Sequence, residues 1–147
     1  MRYTVLAGRI LFSTIFIIAS AGHFQQQTVD FATWRGVPLA GVLVPLSGVM
    51  ALMGGLSILV GFQARLGAWV LVAFLIPVTL VMHNFWGVAD SAAQQIERAM
   101  FMKNLTMLGG ALLITYFGAG PLSLDAFSSS KPRIEALAGR PESRMAS

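Results

Sequence analysis

The amino-acid sequence predicts an all-α integral membrane protein in which four helices cross the bilayer as a bundle. The first observation is composition: of 147 residues, 56% are hydrophobic and only 11% are charged, whereas roughly a quarter of an ordinary soluble domain is charged. The second is spacing, because no charged residue occurs in 10–29, 36–64, 66–89 or 104–124. Each of these stretches can hold the ~20 apolar residues that cross a bilayer as a helix.

The first predicted span covers residues 4–22, with Arg2 and Arg9 near its start. A second interpretation stays open for this segment. Its basic start and apolar run are followed by Ala19-Ser20-Ala21, which resembles the cleavage site of a secretory signal peptide. Retention and cleavage of the segment are both compatible with the sequence.

The second predicted span covers residues 39–62 and carries a stripe of small side chains. Ser47, Ala51 and Gly55 recur at every fourth position, and Gly54 precedes the last of them. Small residues let another helix approach closely within a membrane. The stripe therefore predicts a helix-packing face, and the same face is suited to a homo-oligomer.

The third and fourth predicted spans cover residues 66–83 and 104–118. Pro77 lies inside the third span and is expected to kink it, because proline removes one backbone hydrogen bond. The fourth span ends at Gly118-Ala119-Gly120-Pro121, a strong helix-stop signal. The short link before residue 66 makes spans two and three a tight hairpin.

The two longer connections are predicted to lie at the membrane interface. In the first, Trp34 beside Arg35 is typical of interfacial segments. In the second, Ser91 and Gln94 fit a helix-capping box, so we expect a helix that lies along the interface or extends the fourth span outward. The residues predicted to form the apolar face of this helix are Ala92, Ile96, Ala99 and Met100.

The distribution of lysine and arginine predicts that both termini are cytoplasmic. Seven basic residues fall on one side of the four spans, and they are Arg2, Arg9, Arg65, Lys131, Arg133, Arg140 and Arg144. The other side has three: Arg35, Arg98 and Lys103. The more basic side of a membrane protein faces the cytoplasm. Residues 1–125 are thus predicted to form the membrane domain and residues 126–147 a polar, disordered cytoplasmic tail.

Composition also excludes several functions. The chain has no cysteine, which excludes thiol–disulfide electron transfer by this chain alone, as well as zinc–thiolate and iron–sulfur sites. The net charge of +4 does not indicate nucleic-acid binding, because the basic residues lie at span ends and form no stripe. No nucleophile–base pair, carboxylate pair or phosphate-binding loop is present, so the sequence does not describe a self-contained enzyme.

The predicted topology brings polar residues together at the outer ends of the spans. His23 ends span one, His83 ends span three, and Lys103 and Asn104 begin span four, with Trp86 nearby. One interpretation is that these residues only sit at headgroup depth, with Trp86 in the aromatic belt. The other is a binding site for a quinone-like cofactor, because a neutral imidazole can hydrogen-bond a quinone oxygen.

A metal-containing site is a weaker alternative in the same layer. His23 and His83 could serve as axial ligands of a haem, and Met82, Met100 and Met102 could suit Cu(I). No ligand spacing within a single predicted helix supports either, so we predict no metal ligands. At the inner ends, Arg9 lies within the apolar segment, where a charge is costly unless it is paired. Asp125 is its predicted partner in a structural clamp, with Arg65 close by.

The chain resembles the DoxX family of small four-helix bacterial membrane proteins. The matching stretches are "GRILFSTIFIIASAGHF", "WRGVPLAG", "MGGLSILVGFQARLGAW", "HNFW" and "MFMKNLTMLGGALLITYFGAGPLSLD". The resemblance implies a multi-pass protein of the bacterial inner membrane. Some members are subunits of a thiosulfate:quinone oxidoreductase, and others associate with redox enzymes. Many members have a glutamate before the Gly-Gly pair, where this chain has Met50 and Ala51.

The resemblance assigns no role to single residues, although some match family positions: Arg9, Arg65, His83, Lys103, Asn104 and Asp125. The preferred hypothesis is an accessory or quinone-contacting subunit of a membrane oxidoreductase system, with a redox partner protein. The alternative is a small membrane module that binds or transports a hydrophobic solute or a partner protein, without a redox role. A third hypothesis is a structural protein without a small-molecule site.

Overall fold

In the computed structural model, which describes residues 1–129, helices account for almost the whole membrane domain. The five α-helices are α1 (Arg2–Ser20), α2 (Gln26–Trp34), α3 (Ala40–Val60), α4 (Ala64–Met82) and α5 (Ser91–Phe117). Short 3-10 turns at Ala21–Phe24 and Phe85–Gly87 extend the outer ends of α1 and α4. Residues 124–129 are also helical. No strand occurs within residues 1–129.

Four of these segments are long and apolar enough to cross a membrane. They are Arg2–Phe24, Ala40–Val60, Ala64–Gly87 and Ser91–Phe117. The predicted fold class, an all-α membrane bundle with four spans, is therefore confirmed. Four crossings return the chain to the side on which it began, so residue 1 and residue 118 lie at the same end. We call this the inner end and the opposite end the outer end, following the predicted orientation.

Two features differ from the sequence-based expectation, namely the cap of the last helix and the connection after α1. The fourth span itself is the inner part of one 27-residue helix, α5, which extends outward to Ser91, one of the two expected arrangements. Its N-cap is Asp90 and not Ser91, because the Asp90 carboxylate accepts a hydrogen bond from the Ala93 N–H at 2.8 Å. The connection after α1 also contains a helix, α2, which was not predicted. Its sequence is rich in glutamine, so the two apolar positions that pack against α3, Val29 and Ala32, did not stand out as a helical pattern.

The predicted apolar face at the start of α5 points away from the bundle, where Ile96 is 61% exposed and Met100 is 36% exposed. The opposite face, which includes Glu97, Asn104 and Ala111 at intervals of seven residues, turns inward. Lipid is a good solvent for apolar side chains, so an apolar face can point outward while the polar residues of a span turn inward.

The helices pack in a fixed order: α1 packs on α3, α3 on α4, and α4 on α5. The Gly54-Gly55 pair allows a close approach on each side of α3. A Cβ at Gly55 would lie 3.0 Å from Cγ1 of Ile17 on α1, and one at Gly54 would lie 2.9 Å from the Gly67 carbonyl oxygen on α4. Gly54 and Gly55 thus face different neighbours, and α3 is held between α1 and α4. Leu71 of α4 is fully buried at the centre.

The inner end is closed by Arg9, whose guanidinium donates hydrogen bonds to the carbonyl oxygens of Ala119 at 3.0 Å and Leu122 at 2.9 Å. The Asp125 carboxylate accepts from the backbone N–H groups of Gln63 at 2.7 Å and Ala64 at 3.1 Å, and so caps α4. The direct Arg9–Asp125 ion pair predicted from the sequence is not formed. The turn after α5 presents carbonyls that need donors, and the start of α4 presents N–H groups that need an acceptor.

Two prolines lie within the spans. α4 continues as one helix through Pro77, and the expected kink there stays a prediction. Pro45 lies inside α3 in the same way. The predicted disordered tail begins, at 126–129, with helical residues, and its remainder from residue 130 lies outside the described part of the chain.

Candidate functional site

A cavity of about 130 Å³ lies in the outer half of the bundle, between α1 and α5. Residues of α3 and α4 form its back wall. We call this cavity the cleft. Its apolar lining includes Phe16, Phe74, Leu75 and Met107, and its polar lining consists of His23, His83, Lys103 and Asn104.

The cleft exists because α1 and α5 do not pack along their whole length. They touch in the inner half, where a Cβ on Gly110 would lie 2.7 Å from the ring of Phe12. Outward from this contact the cleft is lined by larger groups, from Phe16 and Met107 up to His23 and Lys103. The contact between Phe12 and Gly110 is therefore the floor of the cleft.

Asn104 is the most buried polar residue of the cleft, with 4% of its surface exposed. Its side-chain amide makes no hydrogen bond to any other group within residues 1–129. Neither amide atom is among the buried atoms without a partner in the described chain, so the amide opens onto the space of the cleft. The Asn104 amide can thus donate a hydrogen bond to a ligand in the cleft and accept one from it.

His23 is the second polar group without a partner. Its Nδ1 atom is buried and makes no hydrogen bond within the described chain. The imidazole packs edge-on against the ring of Phe74, with ring centroids 5.6 Å apart. Gly48 allows α3 to lie directly behind it, since a Cβ there would be 2.6 Å from the His23 Cβ. The ring is consequently held in place by packing and keeps its hydrogen-bonding capacity.

A charged network closes the outer end beside the cleft. Glu97 forms ion pairs with Arg35 and, through its other oxygen at 2.8 Å, with His83. Arg35 also donates to the Asn84 side-chain oxygen at 2.5 Å. A carboxylate can only accept, so the His83 Nδ1 donates to Glu97. The network joins the start of α5, the end of α4 and the loop after α2, and it fixes the His83 ring at the cleft.

Arg35 is further enclosed by aromatic rings. Its guanidinium lies 5.1 Å from the Phe31 ring centroid and 5.4 Å from that of Trp34. Only 10% of the Arg35 side chain and 17% of the Glu97 side chain are exposed. Sequence reasoning missed this pair. The signal that could have found it is spacing: Glu97, the sole acid of α5, precedes Asn104 by seven residues and so shares its face.

The structure brings together four of the five predicted cofactor-binding residues: His23, His83, Lys103 and Asn104 all line the cleft. Trp86 does not line it. The Trp86 side chain is 59% exposed and packs edge-on against Phe85 and Phe101. This position agrees with the aromatic-belt interpretation, which was the alternative for this residue.

The predicted structural residues lie elsewhere. Arg65 and Asp125 line an open groove of about 730 Å³ at the inner end, below Phe117 and Gly118. Among the described residues, no group of three or more His, Cys, Asp or Glu side chains is arranged to hold a metal ion. Of the methionines considered for Cu(I), Met100 and Met102 are 36% and 45% exposed on the outer surface of α5.

The comparisons with known proteins point to one family. A family model described as the SURF4 family matches residues 1–130. The inner membrane protein YqjF of Escherichia coli (strain K12) is 34% identical over 129 residues, which cover 86% of this chain and 93% of YqjF. No solved structure matches the chain.

Two eukaryotic proteins are similar over a shorter region. The uncharacterized protein T02E1.7 of Caenorhabditis elegans is 33% identical over 65 residues, covering 44% of this chain and 23% of that protein. The Surfeit locus protein 4 homolog of Schizosaccharomyces pombe is 33% identical over 67 residues, covering 45% of this chain and 22% of that protein.

These findings overturn the resemblance to the DoxX family, because the family model and YqjF both point to a different family. The quoted stretches misled because apolar spans, small-residue stripes and Gly-Pro stops arise in many small helix bundles for physical reasons. The association with oxidoreductases was implied by that resemblance and is not supported. The multi-pass location in the inner membrane is confirmed by the four spans together with YqjF.

Proposed function

We propose that this chain, which belongs to the SURF4 family, is a membrane binding module that holds one amphipathic molecule in the cleft. The polar end of the molecule contacts Asn104 and His23, and its apolar end leaves between α1 and α5 toward lipid. This develops the alternative hypothesis of a binding module for a hydrophobic solute, without a redox role.

One observation carries the proposal: Asn104 is 4% exposed as a residue, and its side-chain amide opens onto the cleft without a hydrogen bond to the rest of the described chain. In a membrane span an unpaired polar group is expensive, and such groups mark binding sites or pathways. A ligand that accepts from and donates to the amide recovers the lost hydrogen-bond energy. The His23 imidazole lines the facing wall of the cleft, and its Nδ1 has no hydrogen-bond partner within the described chain.

The size and lining of the cleft support a small polar end group. A cavity of about 150 Å³ holds a benzene ring, and the cleft has a volume of about 130 Å³. Its inner portion is apolar, with Phe16, Leu75 and Met107, and its outer portion is polar. Ligand sites in proteins commonly have this composition, with a few polar groups on an apolar wall.

The quinone-contacting role is not carried forward as the function. The association with an oxidoreductase was implied by the DoxX resemblance, which is wrong, and a histidine that can hydrogen-bond a quinone oxygen is suited equally to other polar ligands. A quinone is one amphipathic molecule with hydrogen-bond acceptors, and it would be detected by the same experiment. The proposal itself needs only a polar end group and an apolar body.

The test is to purify the protein gently from its native membrane and to identify retained small molecules by mass spectrometry. We expect one molecular species at near-stoichiometric amounts in the parent, and its loss in Asn104→Leu. The matched control is Thr106→Val, because Thr106 is exposed on the same helix and bonds only to the Met102 carbonyl. This control should retain the molecule.

Two results would contradict the proposal. The first is a parent protein that carries only the bulk lipids of the membrane, in the proportions of the membrane. The second is an Asn104→Leu variant that retains the same molecule in the same amount. Circular dichroism and gel filtration show whether the variant is folded, and His23→Phe offers a second variant that keeps an aromatic ring in contact with Phe74.

A further inference from the structure

We infer that the polar end of the ligand is an anion, so that the cleft takes a lipid acid with a carboxylate or phosphate head. This rests on the proposed function and adds the charge of the ligand. The observation behind it is the composition of the cleft lining, which within residues 1–129 contains a lysine, two histidines and an amide but no acidic residue.

The charge balance of the cleft favours an anion. Among the described residues that line it, Lys103 is the one permanent charge and none is acidic. The nearest acid, Glu97, is engaged by both Arg35 and His83 through its two oxygens. Both of its carboxylate oxygens thus have partners outside the cleft lining or at its edge, and Glu97 itself does not line the cleft. A cationic head would meet Lys103 without a compensating carboxylate.

Lys103 has no strong partner of its own. Its ammonium contacts the sulfur of Met100 at 3.4 Å, and a thioether is a weak acceptor. Lys103 directly precedes the buried Asn104, and both residues line the cleft. Rotation of the flexible lysine side chain from Met100 toward the cleft would let an anionic head accept from both the ammonium and the amide. Hydrogen bonds between charged groups are roughly twice as strong as neutral ones.

The apolar side of the cleft suits an acyl chain. Ile15 of α1, which is 36% exposed, and Met107 of α5 line it toward the membrane. The floor at Phe12 and Gly110 stops the cleft halfway across the bundle. A chain must therefore leave sideways into the bilayer while its head stays near the outer end, which is the orientation of a membrane lipid.

The experiment compares three probes with the same chain and different heads, namely oleate, oleyl alcohol and oleylamine. Binding to the protein in neutral phosphatidylcholine nanodiscs is measured per mole fraction of probe in the lipid. We expect oleate to bind about tenfold more tightly than the alcohol, and the amine to bind most weakly. Equal binding of oleate and alcohol, or tighter binding of the amine, would overturn the charge inference and leave the proposed function standing.

Failure of all three probes to bind would instead overturn the proposed function, and the inference with it. The variant Lys103→Gln isolates the charge, and Lys103 is exposed, so the bundle should fold. We expect the ratio of oleate to alcohol affinity to fall about tenfold. Arg98→Gln removes an exposed cation of the same helix outside the cleft lining and should keep the parental ratio.

A final pair of probes separates the two sources of such an anion. Phosphatidylglycerol and phosphatidylcholine share their two acyl chains and differ in net head charge. Selective displacement of oleate by phosphatidylglycerol identifies a phospholipid as an occupant. Displacement by neither, with oleate still bound selectively, identifies a single-chain carboxylate. Equal displacement by both would contradict selection by charge.

Discussion

Arg9 lies within a span and nevertheless reaches two backbone carbonyls, those of Ala119 and Leu122. A charge at this depth is tolerated because a planar guanidinium satisfies two acceptors at once. Gly61 makes the approach possible, since a Cβ there would lie 2.8 Å from the Arg9 Nη1. The sequence predicted that Arg9 needs a partner. The partners are carbonyl oxygens of an irregular turn, and residue spacing alone could not predict the geometry of that turn.

Arg9→Lys should therefore lower the free energy of unfolding in detergent by about 1–2 kcal/mol. One ammonium on a flexible stem cannot bond both carbonyls in the same geometry. The matched control is Arg2→Lys, because Arg2 is exposed and bonds only to the adjacent Tyr3. An Arg9→Lys protein as stable as the parent would show that the two carbonyl bonds contribute little.

The Arg35–Glu97 pair should show energetic coupling in a double-mutant cycle. Each of Arg35→Met and Glu97→Gln leaves a largely buried group unpaired and should destabilise the protein by about 2 kcal/mol or more. The double variant should cost less than the sum, by at least about 1 kcal/mol. In the same cycle with exposed Arg98 in place of Arg35, the changes in unfolding free energy should be additive. Additive changes in both cycles would show that Arg35 and Glu97 do not stabilise each other.

At the residue scale, the sequence predicted the polar residues that end or begin a span and missed those that need a tertiary partner. His23, His83 and Asn104 could be found because helix ends set their depth. Arg35 and Glu97 are 62 positions apart, and only the packed positions of α2 and α5 bring them together. Trp86 is at the expected depth but on the outer side of the bundle.

Among the elements, α3 is central because its small residues allow close approach on two sides. The predicted stripe contains Gly55, which faces α1, but Gly54 on the other side approaches α4. A single sequence does not reveal which neighbour each glycine faces. The sequence likewise predicted an apolar face at the start of α5 without its direction, since an apolar stripe indicates the buried face in water and the lipid-facing one in a bilayer.

Gly54→Leu should destabilise the bundle by at least about 2 kcal/mol, because overpacking costs ~1–3 kcal/mol and the added atoms meet the backbone carbonyl of Gly67. Gly109→Leu is the matched control, since nothing lies within 4 Å of its Cβ position. It should change stability by less than about 0.5 kcal/mol. Thermal unfolding in one detergent compares the two, and equal effects would contradict the assigned packing of α3 on α4.

For the whole molecule, the predicted orientation can be tested directly because the chain has no cysteine. Single cysteines at Gln27 and Ser91 should react with a membrane-impermeant maleimide in spheroplasts. Cysteines at Phe62 and Ser128 should react only after permeabilisation. All four positions are exposed. The inverse pattern would reverse the orientation, and a mixed pattern within either pair would contradict four crossings.

The whole-molecule fold could be predicted from charge-free stretches, because bilayer thickness sets their length. The cleft could not, since it depends on α1 and α5 touching at Phe12 and Gly110 and separating beyond them. Its four polar residues come from three helices, α1, α4 and α5, and the turns next to them. Their shared depth was predictable, but their convergence on one cavity was not.

The most direct test of the cleft as a binding site is photo-crosslinking in native membranes. A diazirine amino acid replaces Met107, which lines the cleft, or Leu105, which is 49% exposed at a similar depth on α5. We expect the probe at position 107 to capture one molecular species and the probe at position 105 to capture the bulk phospholipids. The same mixture of bulk phospholipids at both positions would show that the cleft does not select a ligand.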